Sequence, residues 1–386
     1  EEILMPIAKG YLTKIGIRKG ATWGTAIDTN VANQGIEILS EALVFSSNLL
    51  TDESLTGTAD QGTSLTSSQT VTGTIETNFQ YSSPVLATMM AMAMGRADTP
   101  VTPLGMLGDK PYAYYASYRL GDDLEGYFVS LAIDKFGDSG STAIHEYDSV
   151  KINGMTITGA AGEFVKVSFD VIARRLRNSG TTTTSLAAAT VATPKKFIRF
   201  EDFQFRIGVD TDGALTGDEQ FYPTSFSLTL NNSLVGDLTS LNAPYVDEPL
   251  RDAAREITGS FEIPKFDAAE TLSIENWFIS GQVLKMDARA RATDQIQVGG
   301  NQPYYYAFEM FMPAVQISDA QRPVSGFSKV PAPFSFTAKK AEAARDGMDG
   351  NGNLSNGAGA NEESRGSFTE SLRIELFSVL QSNALA

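Results

Sequence analysis

The chain contains no cysteine and a single histidine, His145. Without cysteine it has no disulfides, thiolate metal sites or cysteine nucleophile. With one histidine it cannot build a multi-histidine metal centre, and a Ser-His-Asp site would have to use His145, which reads as an ordinary strand-flanking residue. Basic residues are scarce as well. Thirty Lys and Arg against 46 Asp and Glu leave a net charge of −16, and a chain so acidic is repelled by nucleic-acid backbone and by anionic lipid. DNA that meets this protein is expected to pass rather than stick. Long hydrophobic runs are also missing: the longest, Pro84 to Met94, falls well short of the roughly 20 residues a membrane helix needs. The opening Glu1-Glu2-Ile3-Leu4-Met5-Pro6 lacks the charged segment and apolar core of a signal peptide. Neither export nor a membrane partner is expected.

What is present points to a folded, mainly β protein. Hydrophobic residues make up 42% and aromatics 10% of 386 residues, enough for packed cores and more chain than one core usually fills. The chain also repeats itself. Val71-Thr72-Gly73-Thr74-Ile75-Glu76 is followed by the apolar run to Met94 and then Gly95. Ile257-Thr258-Gly259-Ser260-Phe261-Glu262 is followed by Ala268 to Ser280 and then Gly281. Gly73 and Gly259, like Gly95 and Gly281, lie 186 positions apart, so a strand-to-helix block recurs without a gap. Two copies are too few for a solenoid. They predict a tandem duplication: a first domain over 1–180, a linker over 181–196 and a second domain over 197–386.

Strand periodicity dominates both halves. In Glu163 to Arg174 the residues Val165, Val167, Phe169 and Val171 share one face, and Lys166, Ser168 and Asp170 the other. Further strands are predicted over Ala42–Phe45, Gly126–Asp134, Val150–Thr158, Phe203–Val209, Ser225–Leu230, Gln302–Met312, Phe334–Ala338 and Ser371–Leu380. Asn153-Gly154 and Asp212-Gly213 read as turns. Each half carries one short flanking helix. Ser83 and Pro84 open the first and Gly95 closes it; Asp267 with Glu270 forms a capping-box pattern for the second, which Gly281 closes. Met89, Met90, Met92 and Met94 read as core filler on an apolar helix rather than a soft metal site. Thr51 to Thr70 and Ala341 to Gly366 read as long polar loops.

No motif builds a catalytic, cofactor or metal site. Asp349-Gly350-Asn351-Gly352-Asn353 resembles the start of a calcium loop, but Leu354 replaces the turn glycine and Ala360 the closing glutamate. Carboxylates are plentiful, yet no glycosidase pair is singled out. The candidate functional residues lie in the duplicated block. Thr72, Thr74 and Glu76 share one strand face opposite Val71 and Ile75; Thr258, Ser260 and Glu262 repeat this opposite Ile257 and Phe261. Such a face is either a solvated exterior or a polar channel wall, and its repetition adds weight to the second reading.

Several stretches resemble the tail tube (major tail) proteins of long-tailed bacteriophages: Gly20-Ala21-Thr22-Trp23-Gly24-Thr25-Ala26; Ser227 to Leu234 leading to Ile257-Thr258-Gly259; and Ile157-Thr158-Gly159 running into Val165 to Asp170. Leu43 to Leu49 is similar to Leu228 to Leu234. The resemblance implies a β-barrel or sandwich with a flanking helix, in six-fold rings that stack into a hollow conduit for DNA ejection. It implies a place in the virion tail after assembly in the host cytoplasm. Its partners would be further copies of itself, the tape-measure, terminator and baseplate or tip proteins, and double-stranded DNA passing without specific binding. A chain with two such units would need only three copies per ring, a homotrimer. The six residues above would then face the lumen. The alternatives are the tube subunit of a contractile secretion or bacteriocin particle, a β-rich surface adhesin, and an acid/base glycosidase.

Overall fold

The computed structural model describes residues 10–52, 54, 63–100, 114–135, 143–211, 215, 219–236, 244–263, 268–297, 304–321, 332–345, 369–380 and 382–385. Within them the chain is mainly β. The first half contributes β1 (Lys14–Lys19), β2 (Gly35–Ile36), β3 (Ser40–Glu41), β4 (Val44–Thr51), β5 (Ser64–Asn78), α1 (Pro84–Met94), β6 (Gly95–Ala97), β7 (Tyr114–Leu120), β8 (Val129–Asp134), β9 (Ile144–Ala160) and β10 (Lys166–Arg177). The second contributes β11 (Phe203–Val209), β12 (Gln220–Phe221), β13 (Ser225–Asn231), β14 (Leu234–Val235), β15 (Leu250–Arg251), β16 (Glu256–Ile263), α2 (Ala268–Ser280), β17 (Leu284–Gln297), β18 (Tyr304–Asp319), β19 (Ala332–Ala338) and β20 (Arg373–Ser378).

The antiparallel ladders of the first half run β2-β1-β8-β9-β10-β5-β4. Those of the second run β12-β11-β17-β18-β19-β16-β13. The two orders correspond strand for strand, with a helix after β5 and after β16. The glycine spacing therefore reports a duplicated topology.

Strand β9 joins the halves. Along one edge, its first part pairs with β8 up to Val150, and its last part, Gly154 to Ala160, pairs with Asn231 to Ser225 of β13. Asn153-Gly154 thus lies inside a strand rather than at a turn. The pairing slips between Asp170 and Val171, opposite Gly154 and Ile152, so Asn153 is the extra residue of a bulge. Its amide Nδ2 donates to Asp170 (3.1 Å) and its Oδ1 accepts from the Leu234 N–H (2.8 Å), which satisfies locally what a turn would have satisfied. A second junction runs from β7 through β20 to β18.

A clasp reinforces the first junction. Past β13, the segment carrying β14 and β15 lies over the first repeat. The Tyr245 ring sits 5.1 and 4.9 Å from the guanidinium carbons of Arg174 and Arg175, and the Arg251 guanidinium donates to the Asp122 carbonyl at 2.8 Å. Fully buried Lys151 pairs with Glu248; burial pushes the ammonium below its ordinary pKa, and the carboxylate opposes that shift. One hydrophobic cluster passes through both halves. Within it, Phe79 meets Phe308 edge-on at 4.7 Å and Tyr81 lies 6.0 Å from Tyr306. Phe79 and Phe308 each contribute about 1.5–3 kcal/mol by leaving water.

Helix α1 follows its sequence signals. The Ser83 hydroxyl accepts the Leu86 N–H at 3.3 Å, Pro84 occupies the first turn, and Gly95 takes the left-handed conformation at φ 84°. The helix is buried on nearly all sides, including Met89, Met90, Met92 and Met94. Gly281 closes α2 at φ 65°. Asp267, Asp212-Gly213 and the loop around Asp349 lie outside the described residues, and nothing is described of the Glu270 side chain. The stretch Thr51 to Thr70 is not wholly a loop: Ser64 to Thr70 belong to β5 and pair with β4 in a long hairpin arm. Threonine and serine suit an extended strand, but a strand exposed on both faces has no apolar alternation to reveal it. Residues 181–196 contain no strand and lie against the first half, where buried Glu146 accepts the N–H groups of Thr182 (2.9 Å) and Thr183 (2.7 Å).

The repeated glycine has a packing role. A Cβ on Gly259 would lie 2.2 Å from the Phe336 ring and 2.7 Å from the Ser227 carbonyl. Gly259→Ala should therefore lower stability by about 1–3 kcal/mol in urea unfolding. Gly10→Ala, with nothing within 4 Å of the new carbon, should be neutral. Equal midpoints for the two variants would contradict this packing.

Candidate functional surface

Eight strands of the two halves form one unbroken sheet, β4-β5-β10-β9-β13-β16-β19-β18. Because side chains alternate across a strand and partners in register share a face, the ladders decide which residues stand together. Glu76 lies opposite Ser168, then Thr156, Thr229, Thr258, Thr337 and Gln316 in turn. The adjacent row on the same face runs Asn78, Lys166, Thr158, Ser227, Ser260, Ser335 and Asp319. On the other side of the first row come Thr74, Asp170, Gly154, Asn231 and Glu256. Thr72 and Glu262 extend the same face at the two ends.

All six residues singled out from the sequence therefore share one face of one sheet, although they come from opposite halves of the chain. Thr72, Thr74, Thr258 and Glu262 are exposed, and Glu76 and Ser260 are half-buried. The reverse face is core: Val71, Ile75, Phe169, Ile157, Leu228, Ile257, Phe261 and Phe334 are all buried. A one-residue slip in any ladder would exchange the two faces; at the Thr72 end the polar rows give way to its partners Ile172, buried against Leu124 and Leu234, and Val44.

Sequence reasoning named two strands of this wall and noted the alternation of a third, Lys166-Ser168-Asp170. It did not gather Thr156, Thr158, Ser227, Thr229, Ser335 and Thr337. Their alternation is visible in the chain, but only the β9–β13 pairing places them beside the others. At that junction the Thr156 and Thr229 hydroxyls share a hydrogen bond of 3.1 Å. Electrostatically the face is neutral to acidic. Its carboxylates are Glu76, Asp170, Glu256, Glu262 and Asp319; of its lysines, Lys166 is paired with Glu163 at 3.2 Å and Lys339, just past β19, donates to Gln316 of the first row at 2.5 Å. Ser40 adds a hydrogen bond to Glu76 (3.2 Å). The rows are mostly hydroxyls, and the two lysines among them are held by Glu163 and Gln316.

His145 sits in β9 opposite Ile133, away from these rows. Burial, then the nearby Lys135 charge, lowers its pKa. A family model described as phage tail tube protein matches residues 10–338. A search of the curated proteins found no match.

Proposed function

The chain belongs to the phage tail tube protein family and has a structural role in the virion tail; on that premise we propose that three copies close into a ring whose inner wall is the polar face. The observation that carries this reading is the continuity of that face across both halves of the chain. In the proposed division, residues 1–180 and 197–386 are two tube domains and 181–196 the linker, so a trimer supplies six equivalent places in a ring.

Strand geometry favours three chains. Eight wall strands per chain give 24 in a trimer and 16 in a dimer. At a spacing of about 4.8 Å and a tilt of about 40°, 24 strands enclose a backbone ring roughly 48 Å across, and 16 strands roughly 32 Å. Side chains projecting about 5 Å from each side reduce these to roughly 38 and 22 Å. A duplex roughly 20 Å across clears the first by about 9 Å on each side and the second by only about 1 Å, which leaves no room for its hydration and counter-ions. The function is then passive conduction during DNA ejection: the excess of carboxylates repels phosphate, and the lysines of the wall, Lys166 and Lys339, are engaged by Glu163 and Gln316.

Stacking of rings would fall to the end of the β4–β5 arm, which exposes Leu50 and Leu65 beyond the body of the first half. Tape-measure, terminator and baseplate or tip proteins complete the set of partners, and assembly takes place in the host cytoplasm.

Native mass measurement of isolated rings should give three chains of 41.5 kDa each; six chains per ring would overturn the proposal. The wall can be tested separately. Glu76→Lys combined with Glu262→Lys should leave tubes intact but slow DNA passage, most at low salt where screening is weak. Ejection kinetics unchanged at low salt would count against a lumen-facing position for these residues.

A further inference from the structure

We infer that the chain carries within itself the template of its own contact with the next copy: the outer edge of β3 and β4 pairs with the end of β18 of a second chain, as β13 pairs with β9 inside one chain. This rests on the ring proposed above and adds the strands, the register and the residues.

The correspondence comes from the ladders. Ser40 pairs with Glu76 and Val44 with Thr72; in the second half, Ser225 pairs with Glu262 and Thr229 with Thr258. Each residue of β3 and β4 near the body thus has a counterpart 185 positions later in β13. Strand β13 is central, with β16 on one edge and β9 on the other. Strand β4 pairs with β5 alone among the described residues, and all eight of its residues are exposed.

Side chains tell the same story at two positions. Leu230 faces the core at the junction and is 0% exposed, while its counterpart Phe45, on the core side beside buried Val71, is 43% exposed. Leu234, 8% exposed, packs on Leu124 and Ile172 of the first half, while its counterpart Leu49 is 58% exposed. A Phe and a Leu placed where the other repeat buries its equivalents are interface residues without their interface. An open, apolar strand edge is also an aggregation hazard unless a partner covers it. A second copy is the occupant that fits, because the surface that buries the counterparts is already part of this chain.

The register follows. Asn231 lies opposite Gly154 across the internal junction, and Gly154 opposite Asp170. Asp170 pairs with Thr74, whose counterpart Ser260 pairs with Ser335, and Ser335 pairs with Asp319. Asp319 therefore stands for Gly154, and Ser46 for Asn231. Ser46 of one chain should lie opposite Asp319 of the next.

The absence of native cysteine makes this directly testable. Chains carrying Ser46→Cys and Asp319→Cys together, assembled and treated with a short bismaleimide, should give covalent species up to three chains. A mixture of the two single variants should stop at two chains, and Ile279→Cys with Asp319→Cys should give none. In the unmodified protein, hydrogen exchange at Val44 to Leu49 should slow by about tenfold or more on assembly. Tubes visible by negative stain, without the Ser46–Asp319 link and without slowed exchange, would overturn this contact and leave the tube reading standing. If the unmodified chain forms no rings or tubes, the tube reading fails, and this inference with it.

Discussion

A single strand with two partners on one edge organises the molecule. Strand β9 gives its first half to β8 and its second half to β13, so one hydrogen-bonded sheet belongs to both repeats. Two domains joined only by a linker would be free to move, as separate domains usually are. Here the backbone ladder, the Tyr245–Arg251 clasp and the shared aromatic core hold the repeats at one angle. That angle sets the curvature of the polar face, and curvature decides whether a ring closes.

The bulge at Asn153 is part of the same constraint. An extra residue bends a strand and increases its twist, and this one falls where β9 changes partner from β8 to β13. Asn153 also ties down the start of the next segment through Leu234, so the change of partner and the clasp are set by one side chain. The polar wall is continuous only because the register survives this point. Thr156 and Thr229 face the same way on either side of the junction, and their shared hydrogen bond marks it. The buried ion pair of Lys151 and Glu248 gains little net stability, because desolvation opposes much of what the pair gains.

The alternation of Val165 to Asp170 and of Thr72 to Glu76 made the strands, their polar side and their core side legible from sequence. The cap Ser83, Pro84 and the closing Gly95 did the same for α1. The repeat of the strand-to-helix block was legible from its glycines, and both leave no room for a side chain: Gly259 against the Phe336 ring, Gly73 against the Ala42 carbonyl. Other features left no local trace. Asn153-Gly154 carries the residues of a turn, and only the partners on either side of β9 make it a bulge. Ser64 to Thr70 looks like a polar loop because an arm in solvent needs no apolar stripe. The assembly of the wall from β9 and β13 depends on a pairing between residues 65 to 77 positions apart across the linker, which no short window can contain. Of the candidate site, the six named residues were found from their repetition, and the hydroxyl rows between them only from the ladders.

A reconstruction of the assembled tube at a resolution that separates strands bears on all of this at once. It should show an inner wall of 24 strands, eight from each of three chains, with Thr258, Ser260 and Glu262 and their counterparts Thr72, Thr74 and Glu76 lining the lumen. An inner wall with a different strand count, or one that turns these residues to the outside of the tube, would contradict it.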